Sequence, residues 1–226
     1  MTVTEFVVKS LVEAEEEPDT PDEPEAPTVN DTVINGFATA NGLSVSDVLV
    51  NEAYSTMDKG TVITNWVETN GGSNDVTNGA NSAAFGYKMR KNNGKSFATR
   101  ALPTGNFVAK FTAFSTYGNT SYVDNYIGIA NSATANNDNA TYVRIFKDYI
   151  ANNSTRNYAN GSSLGYTELS DKYDLDDLTK GYTFYIFAVD GTYYFVDLDG
   201  NTMFTYEDTA SHFYVSVSTI TQLFRQ

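Results

Sequence analysis

The chain has 226 residues, no cysteine, one histidine and a formal net charge of −14. That length has room for one large domain or two small ones and needs no disulfide or metal staple. The missing thiols exclude a disulfide framework, a thiolate zinc site and a cysteine nucleophile. The lone His212 excludes a two-histidine metal motif, and the acidic balance argues against a nucleic-acid backbone or an anionic membrane as partner. No apolar run approaches the length that spans a bilayer. Asn, Ser and Thr fill 68 positions, and Tyr and Phe number 16 and 14. Thr, Tyr, Phe and Val suit a pleated, half-buried surface and Asn and Gly suit turns, so the composition predicts an all-β protein.

Residues 1–11, MTVTEFVVKSL, alternate along an extended segment, with Phe6, Val7 and Val8 as an adhesive cluster. They read as an N-terminal anchor peptide that adds a strand to another chain. Residues 12–29, VEAEEEPDTPDEPEAPTV, carry eight acids and prolines at every third position, Pro18, Pro21, Pro24 and Pro27. Like charge resists collapse and proline favours polyproline II, so this stretch reads as an acidic, extended spacer. Residues 1–30 hold −8 of the net charge, which leaves the body from residue 30 to 226 only mildly acidic.

The body shows period-two strands. The clearest are Asn106–Tyr117, Thr141–Lys147, Tyr182–Val189, Thr192–Leu198 and His212–Thr219. Phe85–Arg90, Ser96–Leu102 and Tyr126–Ala130 are further candidates. In the first of these, Phe107, Ala109, Phe111 and Ala113 share one face, and Lys110, Thr112 and Thr116 take the other. Asp190-Gly191 sits between two strong strands and Asp199-Gly200 follows the second. Asp-Gly is a preferred hairpin pair because both central residues need positive φ, so residues 182–206 read as a three-stranded meander. Asn35-Gly36 and Asn41-Gly42 mark further turns, and Asp174–Gly181 reads as a short helix.

Gly181–Asp208, GYTFYIFAVDGTYYFVDLDGNTMFTYED, resembles the late strands of a concanavalin A-like or laminin-G-like jelly roll. There a buried aromatic strand enters a D-G hairpin and a second strand ends on a V-D-x-D-G pattern, matched here by Phe184, Ile186, Asp190-Gly191, Val196 and Asp199-Gly200. Upstream, FVAKFTAFSTYGN, NYIGIANSA and TYVRIFKD are similar to the middle strands of that family. The resemblance covers about Phe85 to Thr219. It implies an antiparallel β-sandwich of jelly-roll, lectin-like form, here with an extended N-terminal tail. It brings no catalytic motif.

Several glycosidases use this fold, and they need two carboxyl groups across the scissile bond. The related families set alternate acids on one strand face, as E-x-D-x-E. This body has no such run, and its glutamates Glu52, Glu68, Glu168 and Glu207 are scattered. Asp197-Leu198-Asp199-Gly200-Asn201 begins like a calcium loop but lacks the later ligands of an EF-hand, so it reads as a turn. Calcium held by separate loops, through residues such as Asp124, Asn125 and Asp138, is the one cofactor left open. Sugar sites combine a flat ring, which stacks on C–H faces, with amide hydrogen bonds. Trp66, Tyr117, Tyr122 and Tyr149, with Asn125, are the candidate ligand-binding set. Structural roles for most tyrosines are the competing expectation.

The reading this supports is a non-enzymatic virion structural protein of a bacteriophage: a head fibre, capsid decoration or tail appendage at the virion surface. Residues 1–11 would dock on other virion proteins, and the lectin-like head would meet cell-surface or gut glycans, as part of a homo-oligomer. No nucleic acid or membrane partner is expected. The alternatives are a bacterial carbohydrate-binding module or adhesin at the cell surface, and a glycan-cleaving enzyme of the concanavalin A-like class.

Overall fold

The alternation of Thr2–Glu13 is that of a strand, β1, and its apolar residues set its place in the fold. The computed structural model describes residues 2–14, 31–69, 73–78, 85–90, 94–114, 121–134, 139–147, 155–161, 165–168, 182–207 and 209–221. After β1 come helix α1 (Thr32–Ala40), β2 (Leu43–Glu52), one turn of 3₁₀ helix at Tyr54–Thr56, and β3 (Val67–Thr69). Next are β4 (Ser73–Asn78), β5 (Phe85–Arg90), β6 (Gly94–Ala101), β7 (Phe107–Phe114) and β8 (Ser121–Ala130). Then follow β9 (Ala140–Lys147), β10 (Thr155–Gly161), β11 (Gly165–Glu168) and β12 (Tyr182–Val189). The last three strands are β13 (Thr192–Val196), β14 (Thr202–Tyr206) and β15 (His212–Thr221).

The strands form two antiparallel sheets that pack as a sandwich, as the sequence predicts. The first runs β14-β13-β12-β7-β1-β5-β4, with β2 also paired to β1. The second runs β11-β10-β9-β8-β15-β6-β3. The meander appears as expected, with Asp190 at φ 50° and Gly191 at φ 85° in the tight turn between β12 and β13. The Asp174–Gly181 helix lies outside the described residues.

The anchor reading of Phe6, Val7 and Val8 is corrected. β1 lies in the middle of the first sheet, bonded to β7 on one side and to β5 and β2 on the other. Val3, Phe6 and Val8 are buried in the main core, and Val7 is half-buried on the opposite face. Phe6 touches both layers, with its ring 4.7 Å from Phe111, 5.2 Å from Phe213 and 5.3 Å from Trp66. Burying such a side chain stabilises by roughly 1.5–3 kcal/mol, which an extended tail in water forgoes. The domain boundaries shift accordingly. Residues 1–11 are not a separate unit, Val12 and Glu13 complete β1, and the sandwich is not contained in residues 30–226. The remainder of the spacer, residues 15–30, lies outside the described residues.

The helix α1 is a second departure. Asp31 caps it, accepting from Ile34 N at 3.4 Å. Val33, Ile34, Phe37 and Ala38 recur at helical spacing and cover the outer face of the first sheet. Phe37 stacks on Phe187 at 3.9 Å, and Leu11, Val108 and Tyr185 join this second core. That packing outweighs the roughly 1 kcal/mol a glycine costs inside a helix, so Asn35-Gly36 does not turn. Asn41-Gly42 does, with Gly42 at φ 69°.

The outer face of the second sheet alternates aromatic with small residues. Gly128 lies between Tyr142 on β9 and Tyr214 on β15. Those two rings lean to within 6.5 Å of each other, and Tyr126 meets Tyr142 at 4.7 Å.

Candidate functional site

Two predicted sugar-binding residues are core residues instead. Trp66 is 3% exposed, packs on Phe6 and Tyr87, and donates its Nε1–H to Tyr54 Oη at 2.9 Å. Asn125 is fully buried on the face of β8 that carries Ile127 and Ile129 into the core. A ring in the core cannot stack on a solvated sugar, and a buried amide cannot reach one, so neither serves as a ligand group. Tyr122 lies on β8 opposite Ile220 of β15, while Tyr117 and Tyr149 lie outside the described residues. Of the five, the described structure thus takes Trp66 and Asn125 into the core.

Trp66 belongs to a polar network that ties the two layers together. Glu52, the last residue of β2, accepts from Arg100 Nη1 at 2.7 Å, from Asn65 Nδ2 at 2.9 Å and from the Tyr54 hydroxyl. Burial pushes the Glu52 carboxyl up, but these hydrogen bonds and the Arg100 charge outweigh it and hold it below its ordinary value. Burial, then the Glu52 carboxylate, pushes the Tyr54 phenol far up, and burial with Glu68 and Glu52 does the same to Tyr87. A carboxylate held ionised by an arginine is a poor general acid. This network ties β2, the 3₁₀ turn and β6 together.

The other acids near the predicted chemistry are also engaged. Asp197 Oδ1 accepts from the backbone N–H groups of Asp199 and Asn201, both at 2.9 Å, which builds the turn after β13. Glu68 accepts from Ser96 at 3.0 Å. Among the described residues no three His, Asp or Glu side chains gather to hold a metal ion.

A cleft opens instead on the outer face of the first sheet. β-Pairing sets Asn51, Val7, Lys110 and Tyr185 in one row across β2, β1, β7 and β12. The adjoining rows bring in Glu5 with Thr112 and Lys9 with Val48. The N-terminus of α1 forms the far wall through Asp31 and Ile34, and β2 supplies Val45, Ser46 and Val48. The enclosed volume is about 280 Å³.

Charge in the cleft is balanced locally. Lys110 Nζ lies 3.2 Å from Glu5 and 3.5 Å from Asp31. The Tyr185 hydroxyl donates to Asp31 at 3.0 Å, and Thr112 Oγ1 donates to Glu5 at 3.4 Å. Lys110 therefore pairs with two carboxylates that hydroxyls also hold in place. The ammonium of Lys9, the amide of Asn51 and the hydroxyl of Ser46 complete the polar lining, with Val7, Ile34, Val45 and Val48 as its apolar surface. These residues come from separate stretches, 5–9, 31–34 and 45–51, and from Lys110. Only the strand register assembles them, and no periodicity signal could have found them.

A wider opening of about 540 Å³ lies on the other side of β2, floored by Val8 and Phe213. Its cation, Arg100, is committed to Glu52, and its wall mixes Ser10, Asp47 and Thr104 with apolar residues such as Leu49, Val50 and Leu102.

No protein-family model and no curated protein matches the chain. Among solved structures it is similar to the CBM2 module of the evolved Dit of Lactobacillus casei BL23 phage J-1. The TM-score is 0.38 and the identity 12%, over 71% of this chain and 84% of that one. It is also similar to a Bacillus licheniformis β-glucanase, with TM-score 0.34 and 10% identity over 72% and 83% of the two chains. A native glycosidic hydrolase gives TM-score 0.33 and 12% identity over 74% and 81%. None of the three lends this chain a residue or a role.

Proposed function

We propose that this chain is a non-enzymatic carbohydrate-binding β-sandwich, displayed at a virion surface, with its sugar site in the cleft over β1. The observation that carries the reading is the mixed lining of that cleft. A sugar presents hydroxyl edges and apolar C–H faces. Lys9, Asn51 and Ser46 meet the first, and Val7, Ile34, Val45 and Val48 meet the second. The volume suits one or two sugar units. The carboxylates, tied to Lys110, favour holding a ligand over cleaving it.

The virion setting draws its support from composition: a thiol-free, acidic chain, rich in Asn, Ser and Thr. With β1 built into the fold, attachment to a particle would use another surface.

A glycan array probed with the full chain tests the sugar reading. Binding to at least one glycan is expected, without hydrolysis on prolonged incubation. Lys9→Ala and Asn51→Ala should each weaken that binding at least tenfold with the melting temperature unchanged. No bound glycan, or full binding by both variants, overturns the site. Release of reducing ends would favour the glycan-cleaving alternative. An antibody against the chain should label purified virions in electron micrographs, and unlabelled particles would overturn the setting.

A further inference from the structure

Among the described residues, the place of β1 in the first sheet makes it the only link between two groups of strands. On one side β7 pairs with it from Thr2 to Ser10. On the other, β5 pairs at Thr2 and Val3, and β2 from Phe6 to Glu13. Among the described residues, β2 pairs with no other strand, and β5 pairs otherwise only with β4. The rest of the fold thus presents a slot for one extended segment. It reads Val3, Phe6 and Val8 on the core face and Leu11 on the helix face.

The segment that fills this slot reaches the rest of the described fold through residues 15–30. The ends of that connection are close together. Ala14 N donates to Gly42 O at 3.0 Å, just past the last turn of α1, and Asp31 caps its first turn. The span is therefore near the length of a nine-residue helix, about 14 Å at 1.5 Å per residue. The sequence across it, EEEPDTPDEPEAPTVN, has seven acids, four prolines and no base. By sequence, proline spacing and like-charge repulsion favour an extended chain, and sixteen residues of such a sequence can reach about 50 Å at 3.1 Å per residue. Closure over the short span works against that preference. Reaching a neighbouring molecule does not.

We propose that the slot also takes β1 from a second copy of this chain, giving strand-exchanged oligomers. Every contact that β1 makes within one copy is repeated between copies, so only the connection and the concentration decide between the two forms. A connection of this length gives its own β1 an effective concentration of the order of millimolar. Dilute chains are closed monomers. Crowded chains, as in a surface array, exchange. Glu5, Val7 and Lys9 come from β1, so each cleft in the exchanged form is built from two molecules.

The absence of cysteine makes the test direct. Val7 on β1 stands opposite Asn51 on β2. One batch carries Val7→Cys and another Asn51→Cys. Both are unfolded, mixed, and refolded at millimolar or micromolar concentration before oxidation. A disulfide joining the two kinds of chain is expected at millimolar concentration, at least tenfold less at micromolar, and less again at high salt. A single chain carrying both substitutions reports that the pair can bond. The unaltered chain, refolded at millimolar concentration, should run as a dimer or larger on size exclusion with light scattering. A monomer there overturns the proposal, as does an oligomer that forms without the mixed disulfide.

Discussion

Arg100 of β6 bonds Glu52 of β2 at 2.7 Å, and its guanidinium lies 5.4 Å from the centre of the Phe6 ring. One side chain therefore joins the two layers through an ion pair and covers the central core residue of β1. Both partners are largely shielded, at 19% and 12% exposure. Removing one partner of such a pair leaves the other charged and poorly solvated. Arg100→Ala and Glu52→Ala should each cost about 3 kcal/mol, measured by urea unfolding. The double substitution should cost less than the sum of the two, because the stranded charge is gone.

The same network sets the pH dependence of stability. The folded carboxyl of Glu52 binds its proton less readily than the ordinary value of 4.5. Its contribution is therefore whole above that value and is lost as pH falls through the lower, folded one. Tyr54 and Tyr87 act in the opposite sense. Their phenols are raised above the ordinary 10.0, so their contribution is whole below that value and is lost as pH rises beyond it. The melting temperature should be flat between these limits and fall on both sides. In Glu52→Gln the acid-side fall should shrink. An unchanged acid limb in that variant would remove Glu52 from the account.

Phe6 and Val7 are neighbours with different fates. Phe6→Ala empties a site between the sheets and should cost about 3–5 kcal/mol. Val7→Ala, on the half-buried cleft face, should cost about 1 kcal/mol or less. Chemical denaturation of the two variants checks the contrast. Equal losses would mean that β1 does not sit with Phe6 inward. A chain beginning at residue 30 lacks the strand between β7 and β2, and circular dichroism should show it unfolded.

Gly128 sits where β8 and β9 approach closely. A Cβ there would meet the backbone of Thr141 and come within 2.6 Å of Tyr142 Cα. Backbone cannot swing aside as a side-chain tip can. Gly128→Ala should therefore push β9 away and cost about 1–3 kcal/mol. Hydrogen exchange should speed up along Ala140–Lys147 while β12 keeps its protection. Uniform protection throughout would mean that the strands absorb the methyl group.

The sequence by itself determined the all-β class, most of the strands from β5 to β15, and the 182–206 meander. Those features rest on period-two alternation and Asp-Gly turns, which are local and survive reading in one dimension. It also contained α1, in the Asp31 cap and the spacing of Val33, Ile34, Phe37 and Ala38, but the Asn-Gly pair within that stretch spoke for a turn. The role of β1 was decided by tertiary structure alone. An alternating apolar segment looks the same whether it pairs with its own sheet or with another chain, because register with β7 and β2 is a property of distant residues. Trp66 and Asn125 illustrate the same limit, since a residue type states what a side chain can do and its burial states whether a ligand can reach it. The cleft is the extreme case. Glu5, Asp31 and Lys110 lie 26 and 79 residues apart along the chain, and nothing local links them. They meet because β1 lies against β7 and α1 ends above both.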